Sequence, residues 1–410
     1  MTKKTIWLIN QYASTPETGM GGRHYYLARE LAKLGHKVYL IAASYTHLLR
    51  HPPRVDQAYE ILPTEGFNFV WVKMPNYPEA HSKKRIFNWF AFAWKLRGLK
   101  SAIADSPDAI LYSSPSLVGF LGAKYLANYY KALLAFEVRD IWPLTLVELG
   151  GYSPRHPFIR FLQWVEDKAY REANCVISNL KNSVDHMVER GMAQSKFSWV
   201  ANGFCMDEVT EKQGLSSATK ERIPDNKFVV GYTGTFGLAN ALDSLILAAE
   251  IIKSNTEIVV VLVGDGKEKK ALERLVDEKK LSNVRFVSPI AKVQIQSMLS
   301  LFDVCFIGLT GDPLFRFGVS PNKLFDYFYS GKPIIYAIES GAYTPVTDSQ
   351  SGIQISAENP EAIAEAIMKL YEMSASEREI LGSNGRNYAL ENHEYGHLAK
   401  KLAQALLGDK

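Results

Sequence analysis

Short apolar runs, each followed by a helical stretch, recur along almost the whole chain in two series. The first opens with Thr5 to Asn10, a loop from Gln11 to Gly22, and a helix from Arg23 to Leu34 that Gly35 ends before the run Lys37 to Ala42. Further runs stand at Asn68 to Val72, Ala109 to Tyr112, Ala132 to Glu137, Cys175 to Ser178 and Phe197 to Val200. Asn202-Gly203 is a turn pair, and Asp207 to Asn226 is poor in core-forming residues. The pattern then restarts with strand Phe228 to Tyr232, helix Asp243 to Lys253, strand Ile258 to Val263, helix Lys267 to Lys280, and strands Val284 to Val287 and Val304 to Ile307. Strands separated by helices build parallel, doubly wound sheets. A chain of 410 residues has room for two such domains. The expected class is α/β, with Rossmann-like domains at 1–203 and 204–385 and a helical segment at 386–410.

Three scattered cysteines (Cys175, Cys205, Cys305) argue for reduced thiols rather than a disulfide frame. Lys3 and Lys4 precede only a four-residue apolar run, too short for a secretion signal, and no stretch reaches the roughly 18 apolar residues of a membrane span. The expected location is the cytoplasm. The net charge of +4 hides an asymmetry: residues 1–203 carry 25 Lys+Arg against 16 Asp+Glu, and residues 204–410 carry 22 against 27. A basic half beside an acidic half points to a polyanionic partner, nucleic acid or an anionic membrane.

Chemistry concentrates in a few runs. From Arg316 to Ile335 the chain reads as a loop, a capped helix start, a short helix and a buried strand. Ser320 is expected as N-cap and Pro321 at the first helical position, followed by Asn322. The open N–H groups of that first turn form an anion site, to which Lys323 adds a full charge and Arg316 a second. Asp326, one turn on, offers a carboxylate to a ribose diol, and Gly331-Lys332-Pro333 stops the helix. This is what a nucleotide-sugar site needs. Gly21 and Gly22, in the loop before the first helix, allow close approach to a phosphate, with Arg23 at the helix start. Their spacing does not fit G-x-G-x-x-G. Gly234, in the run Gly231 to Gly237, stands at the carboxyl end of the second domain's first strand, where open α/β sheets bind ligands. Gly264-Asp265-Gly266 ends another strand and is equally well explained as a structural turn.

Glu137-Val-Arg-Asp-Ile-Trp-Pro143 closes an apolar strand with three charges, which reads as a site more readily than as core. Arg139 is placed to hold a phosphate and Asp140 to orient or deprotonate a hydroxyl; a structural Arg–Asp pair is the alternative. Between Glu79 and Lys100 lie six basic residues and five aromatics. Two readings are open: a helix lying in a membrane interface through Lys83, Lys84, Arg85, Trp89, Phe90 and Trp94, or a core helix with a solvated basic end. The charge asymmetry favours the first. His393-Glu-Tyr-Gly-His397 matches H-E-x-x-H, but Gly396 weakens the helix and no third ligand follows, so zinc is not expected.

The run from Arg316 to Ile335 resembles the nucleotide-sugar motif of the family-4 retaining glycosyltransferases, whose GT-B fold sets two Rossmann-like domains about a central cleft. In that family a Glu-x7-Glu pattern precedes a Gly-x-Pro. Anchored on Gly331 and Pro333, the second acid falls on Asp326 and the first on Gly318, so the first is missing. The Gly21-Gly22 loop is similar to the family's N-terminal glycine loop. Arg139-Asp140-Ile-Trp-Pro143 is similar to a signature of bacterial members that transfer N-acetylated amino sugars, including N-acetylfucosaminyl transferases. The family's Arg and Lys after the Gly231 to Gly237 loop are absent: Thr235, Phe236 and Ala239-Asn240 stand there. The closing helix, about Gly396 to Leu407, resembles the one that crosses back to the N-terminal domain.

The resemblance implies a UDP-sugar donor and a polyprenyl-diphosphate-linked saccharide acceptor, as in O-antigen or capsule synthesis. It implies peripheral work at the cytoplasmic face of the membrane, on its inner leaflet, with no nucleic acid partner. No cofactor or metal is expected, since Asp-x-Asp, the metal clamp of the other large glycosyltransferase fold, is absent. Alternatives on the same fold are a UDP-sugar 2-epimerase and a non-catalytic scaffold.

Overall fold

The computed structural model describes residues 3–19, 21–77 and 83–408, without the side chain of residue 83. The chain forms two compact units, Met1–Asn202 with Tyr395–Lys410, and Gly203–Glu394. The segment expected as 386–410 therefore divides, since everything up to Glu394 stays with the second unit.

The first unit is built on β1 (Thr5–Ile9), β2 (Lys37–Ala43), β3 (Tyr59–Thr64), β4 (Phe67–Val72), β5 (Ala109–Ser113), β6 (Leu133–Val138), β7 (Cys175–Ser178) and β8 (Phe197–Trp199). Their order across the sheet is β3-β4-β2-β1-β5-β6-β7-β8. All pairings are parallel except β3–β4. β3 escapes the sequence pattern because it is an edge strand of only partly buried residues, with Glu60 and Pro63 breaking its apolar run. It pairs antiparallel through Glu65-Gly66, whose φ values of 37° and 86° make the primed turn that hairpins prefer. Pro63 is tolerated because this is an edge strand. Among the helices, α1 (Arg23–Lys33) follows β1, α2 (Lys83–Leu96) precedes β5, and α3 (Gly119–Tyr130) joins β5 to β6. α4 (Leu144–Glu148) and α5 (Pro157–Glu172) lie between β6 and β7.

The second unit carries β9 (Phe228–Thr235), β10 (Ile258–Asp265), β11 (Val284–Val287), β12 (Val304–Gly308), β13 (Ile334–Ala337) and β14 (Gly352–Ile355), ordered β11-β10-β9-β12-β13-β14 and parallel throughout. Its strands are apolar on both faces because helices cover both. Val230, Val260, Leu262 and Phe306 join one core layer; Val229, Val259, Val261 and Ile307 join the other. α6 (Leu242–Ile251) contributes Leu245 and Ile246 to the first layer, each worth about 1.5–3 kcal/mol on burial. α7 (Asn322–Ser330) backs the other with Leu324, Tyr327 and Phe328. α8 (Pro360–Glu372) and α9 (Ala375–Asn392) complete the unit. The chain then re-enters the first unit as α10 (Tyr395–Leu407), where Tyr395 stacks on Tyr26 of α1 with ring centroids 5.3 Å apart.

In each sheet the strand order reverses beside the first strand, between β1 and β5 and between β9 and β12. The carboxyl ends of those strands are where open α/β sheets take ligands.

Candidate functional site

At the reversal point of the second unit, Lys323 reaches from the first turn of α7 to the end of β9. Its ammonium donates to the Tyr232 hydroxyl at 2.6 Å and to Asn240 Oδ1 at 2.9 Å, and lies 4.1 Å from the centre of the Tyr232 ring. The Tyr232 hydroxyl passes its own proton to the Thr235 carbonyl at 2.8 Å, and Asn240 Nδ2 donates to the same carbonyl at 3.1 Å. Among the described residues no carboxylate pairs with Lys323. Burial therefore acts unopposed and pushes its pKa down to about 7. Gly234, at φ 145°, keeps the space beside this ammonium open: a side chain there would start 3.1 Å from Nζ. Gly264 is packed for the sheet, since a Cβ would strike the Gly234 carbonyl.

The start of α7 differs from expectation. Pro321 is the N-cap, with extended backbone, and Asn322 is the first helical residue. Ser320 lies outside the helix and its hydroxyl meets Tyr343. No side chain caps the first turn: the Leu324 N–H turns back to the Pro321 carbonyl at 3.0 Å, which leaves those of Asn322 and Lys323 for a ligand. Arg316 turns back on its own loop, donating to the Pro313 carbonyl at 2.5 Å and lying 4.4 Å from the Phe317 ring centre. Asp326 is not the open carboxylate expected: Lys292 holds both its oxygens at 2.7 Å. Burial pushes the Asp326 carboxyl above its ordinary value, against the pull of Lys292. Gly318, where the family has its first acid, sits at φ 92°, a conformation that a glutamate enters only with strain.

At the reversal point of the first unit, Glu137 at the end of β6 is fully buried. Its carboxylate accepts from Arg23 Nε at 2.9 Å and Ser113 Oγ at 2.6 Å, and lies 2.6 Å from His24 Nε2. Burial opposes its ionisation, but Arg23, His24 and Arg139 together hold it well below the ordinary glutamate value. Burial lowers His24 in spite of Glu137. Asn10, at the end of β1, donates to Ser113 at 3.1 Å. Arg23 is therefore not a phosphate ligand. Its remaining nitrogens donate to the carbonyls of Val200 and Ala201, and its side chain is 2% exposed. Gly21 and Gly22 do hold positive φ, 62° and 83°, with Gly22 as the N-cap of α1; Met20 between Gly19 and Gly21 lies outside the described residues. Arg139 and Asp140 follow just past β6, with the Arg139 backbone N–H on Ser114 Oγ at 2.9 Å and its Nε buried. The Asp140 residue is exposed, yet partial burial of its carboxyl raises it above the ordinary aspartate value against the pull of Arg139.

Residues 18–203 match the glycosyl transferase 4-like domain, and residues 216–388 match the glycosyl transferases group 1. Together the two matches span most of the chain and support a family-4 glycosyltransferase of GT-B fold. This glycosyltransferase is 24% identical over 293 residues to WcaI of Escherichia coli (strain K12), whose name assigns it to colanic acid biosynthesis; the match covers 66% of this chain and 69% of WcaI. Sucrose-phosphate synthase from Thermosynechococcus elongatus shares the fold at a TM-score of 0.70 and 16% identity, covering 98% of both chains. Anabaena HepE, solved with UDP, does so at 0.67 and 17%, covering 98% and 99%.

In this glycosyltransferase the loop after β9 keeps no basic clamp. Phe236 is buried against Tyr232 and Phe286, and Asn240 is turned to Lys323. The aromatic run on α2 divides by face. Trp89 is 3% exposed, donates to the Tyr12 hydroxyl at 2.8 Å and packs on Trp142 and Phe158, so it belongs to the core and not to a membrane face. Arg85 lies over Tyr12 and Trp89. Phe90, Trp94 and Lys84 do face outward, and the Lys83 side chain is outside the described residues. His393 caps the end of α9 whereas His397 lies within α10, so the H-E-x-x-H run is broken between helices.

The sequence reading passed over Tyr232, Asn240, Lys292, Asn10, Ser113 and His24. Asn10 and Ser113 are polar groups at or just past a strand end, and that position was the available signal; Tyr232 lies inside β9, His24 inside α1, and Asn240 and Lys292 in turns that carry no such mark.

Proposed function

We propose that this glycosyltransferase is a retaining enzyme that moves a sugar, of the N-acetylated amino sugar class, from a UDP-sugar to a polyprenyl-diphosphate-linked saccharide. The observation that carries the donor side is Lys323: a mostly buried ammonium without a carboxylate partner among the described residues, beside an uncapped helix start and a glycine at a sheet reversal point. A diphosphate supplies the missing negative charge and accepts the open N–H groups, each charged hydrogen bond being worth about 1.5–3 kcal/mol. HepE, of the same fold, was solved with UDP and with UDP-glucose, which supports that ligand class. Asp326 binds the ribose diol, sharing its oxygens with Lys292.

As the glycosidic bond to phosphate breaks, negative charge grows on the leaving UDP, and Lys323 with the α7 N–H groups stabilises it. Acceptor handling falls to the first unit. Arg139 holds acceptor phosphate, and Asp140, exposed at the end of β6, takes the hydroxyl proton or orients it. No metal is assigned a role. The lipid-linked acceptor places the work at the cytoplasmic face of a membrane, in surface polysaccharide assembly; no helix among the described residues is long and apolar enough to cross it.

Incubating the protein with a panel of UDP-sugars, with and without lipid-diphosphate acceptors and with a chelator present, tests this reading. Transfer with retained anomeric configuration supports it. Epimerisation without acceptor, or no turnover of any donor, overturns it.

A further inference from the structure

α2 presents two aromatic faces, and the fold uses one. Trp89, Phe92 and Leu96 are buried, while Phe87, Phe90 and Trp94 are 66%, 43% and 68% exposed. The three outward rings lie at i, i+3 and i+7, one stripe along the helix. The stripe continues onto α5: Phe90 stacks on Phe161 with centroids 5.6 Å apart, and Phe161 on Trp164 at 6.1 Å. Trp164, 48% exposed, also borders a groove of about 410 Å³ whose other walls include Leu144, Val147 and Ile159. Monomer surfaces rarely leave so many large rings in one stretch without a partner.

The rim of this surface is cationic. Arg97 lies 4.6 Å from the Trp94 ring centre, Lys168 5.5 Å from that of Trp164, and Lys84 and Lys100 are exposed on the same stretch of chain. α2 contains no acid. The acids of α5 are engaged: Glu166 with Tyr170, Asp167 with Arg190, and Glu172 with Lys124 and Lys168. A second copy docking here about a two-fold axis would set these cations against themselves. An anionic bilayer instead offers an apolar layer for the rings beneath a negative surface for the cations.

We infer that the Phe87–Phe90–Trp94 face of α2, together with Phe161 and Trp164 of α5, is the surface by which this protein docks on an anionic lipid bilayer. This deepens the membrane side of the proposed function and rests on that reading for its purpose. The surface itself is argued from the exposed rings and their cationic rim. It replaces Trp89 and Arg85, which the fold uses, with Phe87, Phe161 and Trp164.

The test is co-sedimentation of the full-length protein with vesicles of phosphatidylcholine alone or with about one-third phosphatidylglycerol. Wild type is expected to bind the anionic vesicles, less as salt rises, and Phe87→Ser/Trp94→Ser to bind about tenfold more weakly or worse, with unchanged melting temperature and UDP affinity. Lys84→Glu/Arg97→Glu is expected to lose the preference for anionic lipid. Brominated lipids are expected to quench tryptophan fluorescence in wild type and much less in Trp94→Phe. Equal binding to both vesicle types, or full binding by the Phe87→Ser/Trp94→Ser variant, overturns the inference. So does a dimer that this variant abolishes without any vesicle binding, which reassigns the face to a second copy. None of these readouts needs turnover, so failure to transfer sugar refutes the proposed function and leaves this result standing.

Discussion

If Lys323 meets the phosphates as proposed, UDP binding is expected to depend on pH near neutrality. The Lys323 pKa is pushed down to about 7 from 10.5 by burial alone. At pH 7 half of the unliganded protein carries the charge; at pH 8.5 only about 3% does. A bound diphosphate restores the proton, so affinity is expected to fall about 16-fold between those two values, or about 1.6 kcal/mol. Each UDP bound at pH 8.5 is expected to take up about one proton. Calorimetry in two buffers of different ionisation enthalpy measures both quantities. Lys323→Met is expected to bind UDP weakly and to abolish the pH slope and the proton uptake together. The same side chain leaves a mark on stability. Between pH 7 and 10.5 the unfolded chain holds a proton that the native protein has lost, so stability rises with pH across that window and the variant flattens the rise. An affinity that stays constant from pH 7 to 8.5, or an unchanged slope in the variant, would refute the placement of Lys323 at the phosphates.

Asp326→Ala is expected to weaken UDP binding by roughly 1.5–3 kcal/mol as the ribose loses a charged acceptor. Lys292→Met, which frees that carboxylate from its ion pair, is expected to change UDP affinity without loss of fold, both read by calorimetry. Asp140→Asn is expected to leave UDP binding intact and lower turnover by about 10²-fold or more, measured as UDP release with acceptor present. Glu137→Gln leaves Arg23 buried without its counter-charge and is expected to cost about 3–5 kcal/mol of stability by chemical denaturation. Since the Glu137 pKa is depressed in the fold, its contribution is present above the ordinary glutamate value and lost as pH falls through the folded value. The variant should therefore lose part of the acid-unfolding transition.

The parallel strands were legible because each is a nearly continuous apolar run, as in Ile258–Asp265, bounded by helix signals. β3 and β14 were not: Tyr59–Thr64 and Gly352–Ile355 lie at sheet edges and are only partly buried, so selection for apolarity is weak. At the site, Lys323 and Gly234 were readable from their place beside a helix start and a strand end. Arg23 misled for a physical reason. An arginine after a glycine loop looks the same whether it meets a phosphate or a buried glutamate, and its partner Glu137 lies 114 residues away. Asp326 misled similarly, since nothing local to α7 announces Lys292. The α2 aromatics show the limit of a helical stripe: spacing gives two faces, and only the neighbours Tyr12 and Trp142 decide which is inside.

The path of the chain has a consequence for how the protein is made and taken apart. The second unit is an insertion within the first, entered after Asn202 and left before Tyr395. Its two ends are tied to each other: Phe204 and Glu394 form a β-bridge, and the Phe204 N–H donates to the His393 carbonyl at 3.0 Å. During synthesis the first unit stays unfinished, with the Tyr26 side of α1 bare, until the whole of the second has been made and Tyr395 follows it. Loss of the last helix would thus strike the first unit rather than the one that precedes it in sequence. Conversely, a cut at the two crossings yields a second-unit piece whose termini are already clasped together, the usual condition under which an inserted domain survives excision.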